Sequence, residues 1–296
     1  MDYGRPVEFG FFPEPVAEGV ERLFELVALA EREGLDLVGI QDHPYQWRYL
    51  DTWALLANLA ARTSRIRLFP DVSNLPLRPP AMLAKAAASI DVLSGGRFEV
   101  GLGAGAFWDA IEAMGGPRRA PGEAVEALED AIAIMRLMWS GQRSVRHDGR
   151  HYRVHGLHPG APPPHPIELW VGAYGPRMLR LTGRAADGWL PSSPSVPPER
   201  LAARHAVIDE AAAAAGREPA AVRRLYNVSG RIAARPGGFL DGPAGQWAEQ
   251  LAELVLERGM DTFVLSAAEP AEEQLRRFAV EVVPAVRETV ATARGR

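Results

Sequence analysis

Three short stretches of this chain hold residues whose types and spacing could do chemistry: an Asp–His pair, a glycine run and a Gly-Pro-Arg turn. The pair lies in Gln41-Asp42-His43-Pro44-Tyr45. An imidazole beside a carboxylate can face a ligand with its tautomer fixed, and it titrates where protons move at neutral pH. A helix cap next to a surface histidine explains the same dipeptide equally well. The run Gly101-Leu102-Gly103-Ala104-Gly105 lets backbone come close to a flat or phosphorylated ligand. Glycines packing at a rim explain it too, and its spacing is not that of the dinucleotide fingerprint. In Gly172-Ala173-Tyr174-Gly175-Pro176-Arg177-Met178, free N–H groups, a helix dipole and a guanidinium converge on one spot. That is an anion site, and it is preferred here over an ordinary cap with an exposed arginine. Ser73 and Asn74, in the proline-rich stretch 70–80, could hydrogen-bond a polar heterocycle, although nothing local requires it.

The elements that must position these groups alternate between strand and helix. Apolar strand-like runs at 7–12, 37–41, 66–72, 98–102, 169–172, 188–190, 223–233 and 262–265 are separated by helical patterns at 16–33, 51–62, 79–93, 122–139, 176–183, 198–215 and 244–257. A last helix is predicted at 271–287. Eight strands and eight helices indicate an α/β chain folded as a single (β/α)₈ TIM barrel over 1–296, with a doubly wound open sheet as the rival. Residues 141–166, rich in His, Arg, Gly and Pro, read as an insertion between the fourth helix and the fifth strand, over one barrel mouth. In a barrel of this kind functional groups sit on the loops after the strands, and all of the stretches singled out above lie there.

Composition excludes several classes. With 296 residues, 47% of them hydrophobic, the chain is long enough for one large core, and its net charge of −4 does not suit nucleic acid. The absence of cysteine rules out disulfides, thiolate zinc sites and thiol nucleophiles. The N-terminus MDYGRPVEFGFFPEP is not a secretory signal and no run is long enough to span a membrane, so the expected setting is the cytoplasm.

His147, His151, His155, His158 and His165 invite a metal reading, but their spacings match no standard site, so no metal is expected and a solvated or substrate-facing loop is preferred. Trp139, Trp170, Trp189 and Trp247 read as core residues. A hydrolase or aldolase would need a metal cluster or a buried lysine at a strand exit, whereas the one lysine, Lys85, lies in a helical pattern.

Taken together and in order, 84–105 (AKAAASIDVLSGGRFEVGLGAG), 171–189 (VGAYGPRMLRLTGRAADGW), EFGFFPEP and IQDHPYQ resemble the luciferase-like superfamily. That superfamily holds FMN-dependent monooxygenases and enzymes using the 5-deazaflavin coenzyme F420. The resemblance implies an oxidoreductase with one of these cofactors, with hydride transfer by coenzyme F420 preferred over oxygenation through reduced FMN. It places Gly175, Pro176, Arg177 and Met178 at the cofactor phosphate, with Ala173 and Tyr174 in the same cofactor-binding loop, and Gly103, Ala104 and Gly105 near the ring. A non-prolyl cis peptide behind that ring falls by position at Asp71–Val72, next to Ser73 and Asn74. His43 would sit beside the reactive carbon, with Asp42 orienting it. Ala106 stands where some deazaflavin enzymes have glutamate, and 191–198 carries no lysine. The resemblance further implies a small-molecule substrate, a homodimer and a flavin or F420 reductase as partner. A flavin-binding protein without turnover is the competing class.

Overall fold

The structure, a computed structural model, describes residues 1–295. Twelve strands form in chain order: β1 (Glu8–Phe11), β2 (Leu37–Ile40), β3 (Arg67–Pro70), β4 (Ser73–Asn74), β5 (Val100–Gly103), β6 (Val145–Asp148), β7 (Arg153–Leu157), β8 (Leu169–Val171), β9 (Gly188–Trp189), β10 (Arg223–Ile232), β11 (Asp241–Gly242) and β12 (Thr262–Ala267). The helices are α1 (Val20–Arg32), α2 (Thr52–Arg62), α3 (Pro80–Ser94), α4 (Trp108–Ala113), α5 (Pro121–Met138), α6 (Pro176–Ala185), α7 (Leu201–Ala214), α8 (Ala244–Leu256), α9 (Ala271–Arg277) and α10 (Val283–Ala293). Among the described residues, no helix is long and apolar enough to cross a membrane.

The main strands pair in parallel in the order β3-β2-β1-β12-β10-β9-β8-β5-β4. Because β4 continues β3, the two ends of that path belong to one polypeptide stretch. A bridge from Leu68 to Phe98, with Leu68 N donating to Arg97 O at 2.9 Å, closes the ring. This is a TIM barrel, as expected. Its third strand departs from the predicted continuous run at 66–72: it breaks at Asp71–Val72, whose peptide bond is cis.

Local sequence accounts for the elements. All four residues of β2 are buried, as a strand covered on both faces requires. Helix α1 buries Leu23, Leu26, Val27, Leu29 and Ala30 on one stripe. It starts four residues later than predicted, at Val20, because Val16 instead bridges Tyr49. Asp51 caps α2 by accepting from Ala54 N at 2.9 Å. The predicted last helix is two helices, α9 and α10, joined by a π-helical stretch at Phe278–Val282.

The barrel interior is layered. At the N-terminal end of the strands, Arg223 bridges Glu8 at 2.6 Å and Glu168 at 3.2 Å, and Arg67 pairs with Glu8 and Glu99. Above this charged plug Leu37, Phe69, Trp170, Leu190, Leu225 and Val264 form an apolar cluster. Glycines make the space: a Cβ at Gly188 would lie 2.5 Å from Trp170, and one at Gly39 2.6 Å from Phe69. Trp170, Trp189 and Trp247 are fully buried core residues, and Trp139 packs partly buried against the core.

Within 141–166 the chain forms an antiparallel hairpin of β6 and β7, which lies along α5. Asp130 of α5 organises it, with His147 Nε2 2.9 Å away and the amides of His151 and Tyr152 donating at 2.8 and 3.2 Å. Tyr152 Oη reaches back to donate to Leu75 O. Four of the five histidines therefore stand beside carboxylates: His147, His151 near Glu126, His155 near Asp148, and His165 near Asp91 and Glu99.

Candidate active site

The exits of β2, β3–β4, β5 and β8 are neighbours in the sheet, so the candidate loops share one continuous arc of the C-terminal mouth. His43 leaves the end of β2 and is half-buried. Its ring stacks on Tyr45 with centroids 5.3 Å apart and meets the edge of Phe107 at 5.2 Å. Phe107 comes from the loop after β5 and remains 55% exposed. Burial holds the imidazole below its usual value against the upward pull of the Asp42 charge, which leaves it neutral at pH 7. Burial likewise pushes the Tyr45 phenol up to about 12.

Asp42 does not orient His43. Its buried carboxylate accepts from Arg78 Nε and Nη2, both at 2.8 Å, from Asn74 N at 2.9 Å and from Ser73 Oγ at 3.3 Å. No hydrogen bond joins it to the imidazole among the described residues. Its geometric work is to pin β4, and it acts on His43 through charge alone. Ser73 also accepts from Trp53 Nε1 at 3.0 Å, so its hydroxyl points towards α2 and away from the mouth.

Asp71 and Val72 form the floor. Asn227 Nδ2, on β10 across the barrel, donates to Asp71 Oδ1 at 3.1 Å, and burial pushes the Asp71 carboxyl up to about 7. Three buried oxygens here have no partner among the described residues: Asp71 Oδ2, Asn74 Oδ1 and Asn227 Oδ1. Unpaired buried polar groups are costly, and a flat heterocycle with both N–H and carbonyl groups supplies donors for the two amide oxygens and an acceptor for a protonated Asp71. Val72 packs where Gly101 and Gly103 leave room, since a Cβ at Gly103 would stand 2.7 Å from its Cγ2. Gly105 has φ 101° and lies between Pro76 and Trp108. The glycine run thus packs against the floor and also keeps side chains out of the space above it.

Helix α6 begins at Pro176, with Gly175 as an extended N-cap and no capping side chain. Its first amides are open, and proline at the first position removes only an amide that would be free anyway. Trp189 Nε1 donates to Ala173 O at 2.9 Å and fixes the approach to the helix. Tyr174, Gly175, Pro176 and Arg177 are exposed, while Met178 packs partly against the core. Arg177 leans across the start of α5, where a Cβ on Gly122 would lie 2.9 Å from its Nη1. A neutral histidine, unpaired acceptors over a glycine-lined floor and an open helix start make a mouth that fits a flat, phosphorylated heterocycle.

Sequence reasoning missed Arg78 and Asn227 as site residues. Arg78 was hidden in a proline-rich turn. Asn227 is a polar residue in line with inward-facing Leu225, which was the available signal.

Comparison with known proteins agrees with this architecture. The family described as luciferase-like monooxygenase matches residues 1–237. An F420-dependent glucose-6-phosphate dehydrogenase of Kineococcus radiotolerans is 32% identical over 197 residues, 64% of this chain and 58% of that protein. The phthiodiolone/phenolphthiodiolone dimycocerosates ketoreductase of Mycobacterium tuberculosis is 36% identical over 176 residues, 58% of this chain and 45% of that protein. The chain thus spans about half the length of these curated relatives. An F420-dependent secondary alcohol dehydrogenase, solved with an F420-acetone adduct, shares the fold with a TM-score of 0.83 over 95% of this chain and 99% of that one, at 18% identity. On the match across most of its length, the chain belongs to the luciferase-like monooxygenase family.

Proposed function

We propose that the protein is an oxidoreductase that binds coenzyme F420 at the C-terminal mouth and exchanges a hydride with a small organic substrate, His43 moving the accompanying proton. The observation that carries this reading is the half-buried imidazole of His43, packed against Tyr45 and Phe107 on the same arc as the glycine run and the open start of α6, where burial favours its neutral form. When bound, such a coenzyme supplies a two-electron hydride carrier that reacts poorly with oxygen.

The chain's own residues supply binding, orientation and proton handling. Gly175, Pro176, Arg177 and Met178 hold a phosphate through open amides and the guanidinium, with Ala173 and Tyr174 leading into the turn. Gly103, Ala104 and Gly105 let a flat ring lie close to the backbone, above Asp71, Val72 and Asn74. Asp71, held largely protonated below about pH 7, donates from the oxygen that has no partner within the chain. A neutral His43 accepts the proton of an alcohol oxygen during oxidation and returns it to a carbonyl oxygen in reverse. The F420-dependent glucose-6-phosphate dehydrogenase among the relatives favours the deazaflavin over FMN, which the same phosphate and ring residues would also hold.

His43→Ala and His43→Gln test the assignment. Turnover falls by about 10²–10⁴-fold, the usual worth of a general acid–base group, while coenzyme affinity stays within about twofold. Undiminished turnover in both variants rejects His43 as the proton carrier. A protein that binds the coenzyme but turns over nothing before mutation is the non-catalytic alternative.

A further inference from the structure

Resting on the F420-oxidoreductase reading, we propose that the substrate is an uncharged alcohol or ketone with an apolar body, held against the His43–Tyr45–Phe107 wall, and not a phosphorylated sugar. The wall is the first argument. The three rings pack as a triangle, Tyr45 and Phe107 with centroids 5.9 Å apart and each against the imidazole, and Phe107 keeps more than half its surface exposed. An exposed aromatic beside a proton carrier gains free energy by covering hydrocarbon, and a hydrated phosphate does not supply it.

The second argument is the placement of cations. Recognition of a phosphate monoester needs arginines or lysines that are free and fixed in place. Arg78 spends both of its faces on Asp42 and Asp51. Arg118 pairs with Asp109 and Glu112, and Arg119 donates to Tyr152 Oη while lying over that ring. Residues 191–197, the loop after β9, read Pro-Ser-Ser-Pro-Ser-Val-Pro without a charge. The one lysine, Lys85, is on α3 beside Gly160 of the insertion. Arg48, Arg231 and Arg235 are exposed, but no side-chain hydrogen bond or ion pair among the described residues fixes them in place; Arg48 follows β2, whereas Arg231 and Arg235 lie at and after the end of β10, with β1 and β12 between. Arg177 belongs to the start of α6, where the coenzyme phosphate is assigned.

The reaction balances with the reduced deazaflavin as co-reactant. The substrate's carbonyl carbon gains a hydride, its oxygen gains a proton from His43 in the protonated form that solvent supplies, and the coenzyme is oxidised by two electrons. The reverse converts the alcohol to the ketone.

The test begins with coenzyme F420 binding by fluorescence quenching, followed by steady-state assays of cyclohexanol, cyclohexanone and glucose 6-phosphate. The expected result is a preference of about 100-fold or more in kcat/KM for the cyclic alcohol and ketone over the sugar phosphate, a range that pocket contacts reach. Phe107→Ala is expected to raise KM for cyclohexanone by about tenfold and to leave the coenzyme Kd unchanged, and Phe107→Leu to restore part of the loss. A preference for glucose 6-phosphate, no turnover of the cyclic compounds with coenzyme bound, or an unchanged KM in Phe107→Ala overturns the substrate assignment alone. Absence of coenzyme binding overturns the proposed function and this inference with it.

Discussion

Arg78 holds Asp42 by two hydrogen bonds of 2.8 Å, from Nε to Oδ2 and from Nη2 to Oδ1. Through that grip and the bond from Asn74 N, the exit of β2 is tied to the restart of the third strand at β4. The carboxylate beside the proposed proton carrier is therefore a structural tie, and its influence on His43 is a field.

The tie predicts a large stability effect. Arg78→Ala leaves a fully buried carboxylate without its bidentate partner, a change that costs about 3–5 kcal/mol when a buried pair is broken. Arg78→Lys recovers only part of this, because an ammonium cannot make the forked contact. Chemical denaturation of the coenzyme-free protein measures both, and a loss below about 1 kcal/mol in Arg78→Ala would contradict the tie.

Asp71 gives a pH signature at the floor. Burial raises its folded-state value to about 7, above the ordinary carboxyl value of 3.8, so the fold disfavours the charged form. Its contribution is fully present at low pH and is lost as pH rises from about 4 to about 7, because the unfolded chain ionises first. Asp71→Asn removes that loss, so the variant gains stability relative to the native protein across this window. Parallel pH curves for the two proteins would remove Asp71 as a buried neutral acid.

His165, at the other end of the barrel, also loses stability as pH rises, but there the fold favours the charged form. The Glu99 carboxylate, aided by Asp91, pushes it up to about 9 against burial. Stabilisation by its charge is fully present below the ordinary value of 6.5 and is lost as pH rises through about 9. The site is partly open to water, so the effect is modest. His165→Gln is expected to flatten the fall in melting temperature between pH 6.5 and about 9, and a fall of unchanged size in that variant counts against the ion pair.

How much of this was legible beforehand depended on the range of the interactions. The eight-fold alternation was readable because strands such as Leu37–Ile40 are buried on both faces and announce themselves as apolar runs. Gly-Pro before α6 was readable because helix starts are written locally. The cis peptide at Asp71–Val72 left no local trace and came only from the family likeness. The hairpin of β6 and β7 escaped notice because Arg146, Asp148, Arg153 and His155 face solvent and the strands carry no apolar stripe. Asn227 and Arg78 were missed because their partners, Asp71 and Asp42, are 156 and 36 residues away.

His43 predicts a kinetic pH profile. With its value held below 6.5 by burial, alcohol oxidation needs the neutral ring and should be flat at pH 7 and above, falling towards acid. Phe107→Ala admits water to the imidazole and should move that acid limb up towards 6.5. An acid limb that stays in place in His43→Gln shows that another group carries the proton.

Titration of the purified protein with coenzyme F420 and, separately, with FMN tests the central claim most directly. The account predicts saturable quenching by the deazaflavin with micromolar or tighter affinity, at least tenfold weaker binding of FMN, and loss of both in a variant carrying Arg177→Ala and Gly175→Glu at the start of α6. Tight binding of FMN alone contradicts the hydride-transfer assignment, and binding of neither contradicts the phosphate site itself.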